Sequence, residues 1–132
     1  MKEKDLIAYD LNYWGGTDAT WRLIVNTIAR LPQDVRDFAL EECAFLSVGV
    51  DILGTVVPPR LTAKVWFVLL ADGLSAEDGP GIVAHEIAHA WLGHDFMAPP
   101  ANCEPEAANL VASWGFTGDG ADPDRHSRIH GR

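Results

Sequence analysis

The chain is short of positive charge, of cysteine and of long apolar stretches, and each shortage removes a class of function. Ten Lys and Arg stand against 19 Asp and Glu, a formal net charge of −9. Such a surface repels phosphate backbones and anionic bilayers, so neither nucleic acid nor a membrane is an expected partner. The longest apolar run, residues 65–71, falls far below the ~20 residues that a membrane-crossing helix needs. The first residues, Met1-Lys2-Glu3-Lys4-Asp5-Leu6-Ile7, carry two acids and open no apolar run of the secretory kind, so a cytoplasmic location is expected. The two cysteines, Cys43 and Cys103, lie far apart with no C-x-x-C spacing and are expected as free thiols.

What is present is an ordinary globular composition. With 132 residues, 48% hydrophobic and 22% charged, the chain suits one domain with one core. Residues 1–16 are mixed and read as an arm or short strand. Thr17 or Asp18 is placed to cap a helix whose stripe is Trp21, Ile24, Val25, Ile28 and Leu31. Pro32 ends it and opens a second helix, with Val35, Phe38 and Ala39 inward and Cys43 still within it. β-Branched residues with Gly and Pro punctuation then predict strands at 45–51, 53–57 and 64–71. A polar turn, 75–81, precedes a helix that carries Ile82, Val83, Ile87, Ala90 and Trp91 and ends near Gly93. Pro105 suits the first turn of a last helix through Ala107, Leu110, Val111 and Trp114. After Phe116 the hydrophobic period stops. The expected organisation is therefore α+β, one domain over 1–116 and a flexible tail over 117–132, with no internal repeat.

The chemistry concentrates in Gly81-Ile82-Val83-Ala84-His85-Glu86-Ile87-Ala88-His89-Ala90-Trp91-Leu92-Gly93-His94. His85, Glu86 and His89 form H-E-x-x-H within a helical pattern. Side chains four apart leave a helix on one face, so both imidazoles can grip one metal ion. Glu86 is rotated about 100° from His85, too far round to ligate comfortably but placed to take a proton from water. A catalytic zinc wants a third protein ligand and an open position. The H-E-x-x-H-x-x-G-x-x-H pattern fails here, because Gly93 and His94 come too soon, and the turn at the helix end is expected to carry His94 off the metal-facing side. A carboxylate from Glu104-Pro105-Glu106 is the other source. Glu104 and Glu106 point in nearly opposite directions on a helix, and Glu106, followed by Ala107, Ala108 and Asn109, has the better helical context; it is preferred over Glu104 and His94. The blander reading of this acidic pair is that it stabilises the helix N-terminus.

The run from His85 to His94, followed by Glu104-Pro105-Glu106-Ala107-Ala108-Asn109, resembles the ImmA/IrrE-type group of small gluzincin peptidases, over about residues 64–114. That resemblance implies a minimal zincin-like fold: N-terminal helices, a small twisted sheet of three to four strands, the H-E-x-x-H helix and a following glutamate helix. It also implies peptide-bond hydrolysis. The chain departs from the pattern by an extra alanine before Asn109, and by a Gly115-Phe116 end in place of a leucine-rich, proline-terminated one.

The resulting expectation is a zinc-dependent peptidase acting on a protein or peptide, with Zn2+ on His85, His89 and Glu106 and with Glu86 as general base. Asp95 and Asn109 are candidates to orient the ligand histidines. Tyr9, Tyr13, His94, Arg125, His126 and His130 are chemically able to stabilise an oxyanion. Trp91 is placed to line a pocket, and the strand 64–71 to offer an edge to an extended substrate. The rivals are a zinc-stapled interaction module with little catalysis, a hydrolase of non-peptide bonds, and a metal-free acidic adaptor. Oligomeric state is not readable.

Overall fold

The computed structural model describes residues 3–48, 54–57, 65–71, 73–94 and 101–122. In chain order these form α1 (Glu3–Asp10), β1 (Tyr13–Trp14), α2 (Asp18–Ala29), α3 (Gln33–Glu42), β2 (Cys43–Val48), β3 (Gly54–Val57), β4 (Trp66–Ala71), α4 (Gly79–Trp91), α5 (Cys103–Ser113) and a 3-10 turn, Asp119–Ala121. The architecture is α+β, a four-stranded mixed sheet with helices packed on it.

Both of the first two predicted long helices form where their caps and stripes place them. Thr17 caps α2 by accepting from Thr20 N at 3.2 Å. Ile24 and Ile28 are fully buried. At its other end, Arg36 of α3 donates to the carbonyls of Ala29 and Leu31 at 2.9 and 3.3 Å, closing a helix end that would otherwise leave acceptors unmet.

Residues 3–10 are helical rather than an arm or strand. Only Ile7 of this segment is deeply buried, while Leu6 and Tyr9 stay 52% and 87% exposed. One inward residue leaves no periodic signal. Cys43 belongs to β2, not to α3. The helix ends at Glu42 because Cys43 takes an extended conformation, φ −119° and ψ 144°, and pairs with Trp66. Burial holds that thiol protonated, its pKa well above the ordinary value. Both cysteines are free, as expected.

The sheet order is β1-β2-β4-β3. β1 pairs parallel to β2, and β2 parallel to β4. β3 pairs antiparallel to β4, with Gly54 opposite Leu70 and Val56 opposite Val68. The strand predicted over 64–71 is therefore interior in the sheet, and β3 takes the edge. The remainder of the predicted strands, at 49–51, 53 and 64, lies outside the described residues. Phe45, Val56, Val68 and Leu70 turn to the helices and form one core with Ile24, Ile28, Val83, Ile87 and Val111.

α4 runs through the middle of the molecule. Every residue from Gly81 to Ala90 is buried, a helix apolar on nearly all sides, packed between neighbours rather than on a surface. It meets α2, α5, the 3-10 turn and, at the edge of the sheet, β3. The chain beyond Phe116 continues the domain. Phe116 is 3% exposed beneath the Arg30 guanidinium, 4.1 Å from its ring centre. Asp119 and Gly120 are buried against α4 and α5. The packed part thus passes the expected boundary at 116 and reaches Asp122; residues 123–132 lie outside the described residues.

Candidate metal centre

The centre is built from α4 and α5. On α4, His85 is fully buried and His89 4% exposed, and their Nε2 atoms approach to 3.0 Å. The one-turn spacing puts both rings on the face turned to α5. From α5 comes Glu104, 6% exposed, with Oε2 3.3 Å from His85 Nε2 and Oε1 2.8 Å from His89 Nε2. The expected third ligand, Glu106, is not brought there. Its carboxylate is 54% exposed and lies 2.6 Å from His94 Nε2.

The reason for that exchange is where α5 begins. The helix starts at Cys103, with Pro105 in its first turn as expected, so Glu104 already follows helical geometry. It shares a face with Ala107, Ala108 and Val111, all buried, at the i, i+3, i+4, i+7 spacing of an inward stripe. That spacing was a usable signal. An acid at the head of a small-residue stripe facing an H-E-x-x-H helix is the one that meets the histidines.

His94 also defies expectation. The end of α4 is a Schellman motif: Gly93 N donates to Ala90 O at 3.0 Å, and His94 N to His89 O at 2.9 Å. Gly93 supplies the left-handed residue, φ +74°. In this motif the residue after the glycine folds back over the third residue from the helix end, and that residue is His89. His94 is 5% exposed, with its Nδ1 2.8 Å from His89 Nδ1.

The outer hydrogen bonds decide where the ring protons of neutral histidines sit. Gly120 O lies 2.8 Å from His85 Nδ1. A carbonyl only accepts, so Nδ1 donates and Nε2 is left bare. The Glu106 carboxylate accepts from His94 Nε2, leaving His94 Nδ1 to accept from His89 Nδ1, and again His89 Nε2 is bare. At the centre, two nitrogen lone pairs and a carboxylate therefore face one another within about one hydrogen-bond length. A cation relieves that convergence, as does a proton on one of the three groups. Burial lowers the pKa of His89 below its usual 6.5, partly opposed by the neighbouring Glu104 carboxylate, which favours the neutral ring.

The spacing suits a small ion. Four ligands at about 2.1 Å around a tetrahedral ion stand about 3.4 Å apart; the two Nε2 atoms lie 3.0 Å apart, and one ligand atom from each of the three residues lies within 4.8 Å of the others. His85, His89 and Glu104 could hold a metal ion, and they are the group of this kind among the described residues.

Glu86 is not among these three ligands, in keeping with its rotation of about 100° from His85. Its side chain is fully buried and lies against Gly54 on β3, where a Cβ would fall 2.8 Å from Glu86 Cγ and 3.2 Å from Oε2. The remaining candidates are occupied or distant in role. Tyr13 shares its hydroxyl with Ser47 at 2.8 Å. Tyr9 is exposed on α1, and Asn109 sits on the outer face of α5. Trp91 packs edge-on against Phe38 at 5.4 Å. Asp95, Arg125, His126 and His130 lie outside the described residues. The orienting groups are instead the Gly120 carbonyl and His94. The first could not be read from sequence, because it comes from the stretch taken as tail.

No helix among the described residues is long and apolar enough to cross a membrane. Comparison with protein-family models, with curated proteins and with solved structures finds no match to this chain.

Proposed function

We propose that the protein is a zinc-dependent peptidase of minimal zincin-like build, with His85, His89 and Glu104 holding the ion and Glu86 as general base. One observation carries this reading. Three buried ligand atoms converge with their protons drawn outward, and a carboxylate that does not join them sits at the next position of the same helix. Three protein ligands are the count of a catalytic zinc site, whereas structural sites use four. A bound zinc ion supplies a Lewis acid that activates water near neutral pH and polarises a carbonyl. Glu86 accepts the proton of the attacking water on a carboxylate oxygen and delivers it to the departing amine nitrogen. Gly120 and His94 keep the two imidazoles aimed through their Nδ1 atoms.

Burial favours a second reading. His85 and Glu86 are both 0% exposed, which also suits an ion that chiefly staples the core of an interaction module. Metal analysis of untagged protein, followed by turnover of an unstructured protein such as casein, separates the two. The peptidase requires one zinc per chain, loss of zinc in Glu104→Ala, and loss of turnover with retained zinc in Glu86→Gln. Stoichiometric zinc with no turnover leaves the staple. A chain without zinc ends both.

A further inference from the structure

We propose that His94 and Glu106 form a positioning relay for the metal centre, in which Glu106, through His94, fixes the ring of His89 with its Nε2 lone pair inward. The inference rests on the metal reading above and concerns residues outside the ligand set.

The relay has three links. Glu106 Oε1 accepts from His94 Nε2 at 2.6 Å, a short charge-assisted hydrogen bond. His94 Nδ1 stands 2.8 Å from His89 Nδ1. His89 Nε2 stands 2.8 Å from Glu104 Oε1. Each link selects the next. The carboxylate, an acceptor only, requires His94 to carry its proton on Nε2, which makes Nδ1 an acceptor. That acceptor requires His89 to carry its proton on Nδ1, which bares Nε2. Rotating either ring by half a turn breaks two contacts at once. The backbone enforces the placement too, since the Schellman turn at Gly93 presses His94 against His89. Its two ends differ in kind: His89 is buried, whereas the Glu106 carboxylate is half exposed. The relay thus ties the interior centre to the surface along side chains of α4, its terminal turn and α5. His85 is held differently, by a backbone carbonyl. The two ligands therefore respond to different substitutions.

Zinc affinity, measured by competition with a chromophoric chelator, and histidine tautomers, read from long-range proton–nitrogen correlation spectra of the zinc-loaded protein, test the proposal together. His94→Phe keeps an aromatic ring and removes the acceptor; it is expected to weaken zinc about 10–100-fold, the usual effect of losing a group that orients a metal ligand. His94→Asn restores an acceptor at the δ position and is expected to recover most of that loss. Glu106→Gln keeps an acceptor and changes affinity least, whereas Glu106→Ala lowers it and removes the preference of His94 for the Nε2–H form. As an exposed position, Glu106 remains informative if His94→Phe does not fold. Wild-type affinity in Glu106→Ala with an unchanged His94 tautomer, or in a folded His94→Phe, overturns the relay. Equal loss in His94→Asn and His94→Phe overturns it as well, because acceptor chemistry then does not matter. If the wild-type chain takes up no zinc, the failure belongs to the metal reading instead.

Discussion

Replacing Gly120 with alanine asks whether the brace behind His85 matters as much as a ligand. A Cβ on Gly120 falls 2.9 Å from Ile82 N and closer still to the Gly81 carbonyl. Ordinary contact begins at 3.4 Å, and the Gly81 carbonyl, the nearest group, makes the segment carrying Gly120 withdraw by well over about 0.5 Å. Withdrawal along the hydrogen bond stretches His85 Nδ1 to Gly120 O from 2.8 Å to beyond about 3.3 Å, outside the usual range of about 2.7–3.2 Å for N–H···O. Loss of an orienting partner lowers metal affinity roughly 10–100-fold, or about 1.4–2.8 kcal/mol at about 1.4 kcal/mol per tenfold. Overpacking separately removes about 1–3 kcal/mol of folding stability. Chelator competition reads the first quantity and urea unfolding of the zinc-free chain reads the second. Ile28→Val is the control: at a fully buried site on α2 it costs about 0.5–1.5 kcal/mol and leaves zinc affinity unchanged. A destabilised Gly120→Ala protein that binds zinc like the wild type would refute the reasoning, since the carbonyl would then not set the competence of His85.

Two further outcomes follow from the same geometry. Gly54→Ala drives a methyl group into Glu86 Cγ, so turnover of casein is expected to fall at least as far as the ~100-fold that general acid–base catalysis supplies at its low end, with zinc content intact; undiminished turnover would free Glu86 from its proposed placement. The pH dependence has a definite sign. Burial lowers the pKa of His89 from 6.5, so the unfolded chain binds more protons than the folded one as pH falls. The corresponding stability is full above 6.5 and is lost as pH drops through the lower, folded value. Thermal midpoints of zinc-free protein should fall on acidification below 6.5, and His89→Gln should flatten that part of the curve; an identical slope in the variant would assign the effect to other groups.

The sequence displays whatever has a period or a cap. α2, α3 and α4 announce themselves through apolar stripes, Thr17 and Pro32, and the pairing of His85 with His89 follows from one helical turn. Two other features were legible but outweighed. Glu104 heads the stripe Ala107, Ala108, Val111, yet the residues directly after Glu106 favour Glu106 when local helical context alone is weighed. Gly93 signals a Schellman turn, which by itself returns His94 to His89. What could not be read is contact without pattern. α1 rests chiefly on Ile7, with Ala8 beside it, and Gly120 serves through a backbone carbonyl that any residue type carries. Sheet order is likewise hidden, since β3 and β4 are neighbours in sequence while β2 reaches past β3 to pair with β4.

The support for His85 arrives from 35 positions downstream. As the chain leaves the ribosome, both imidazoles and both glutamates emerge before that support exists, and their rings still turn freely. On the proposed metal reading, capture of an ion in its final setting waits for nearly the whole domain to be synthesised and closed. Ion loading, so read, belongs to the finished molecule and not to the helix that carries the motif.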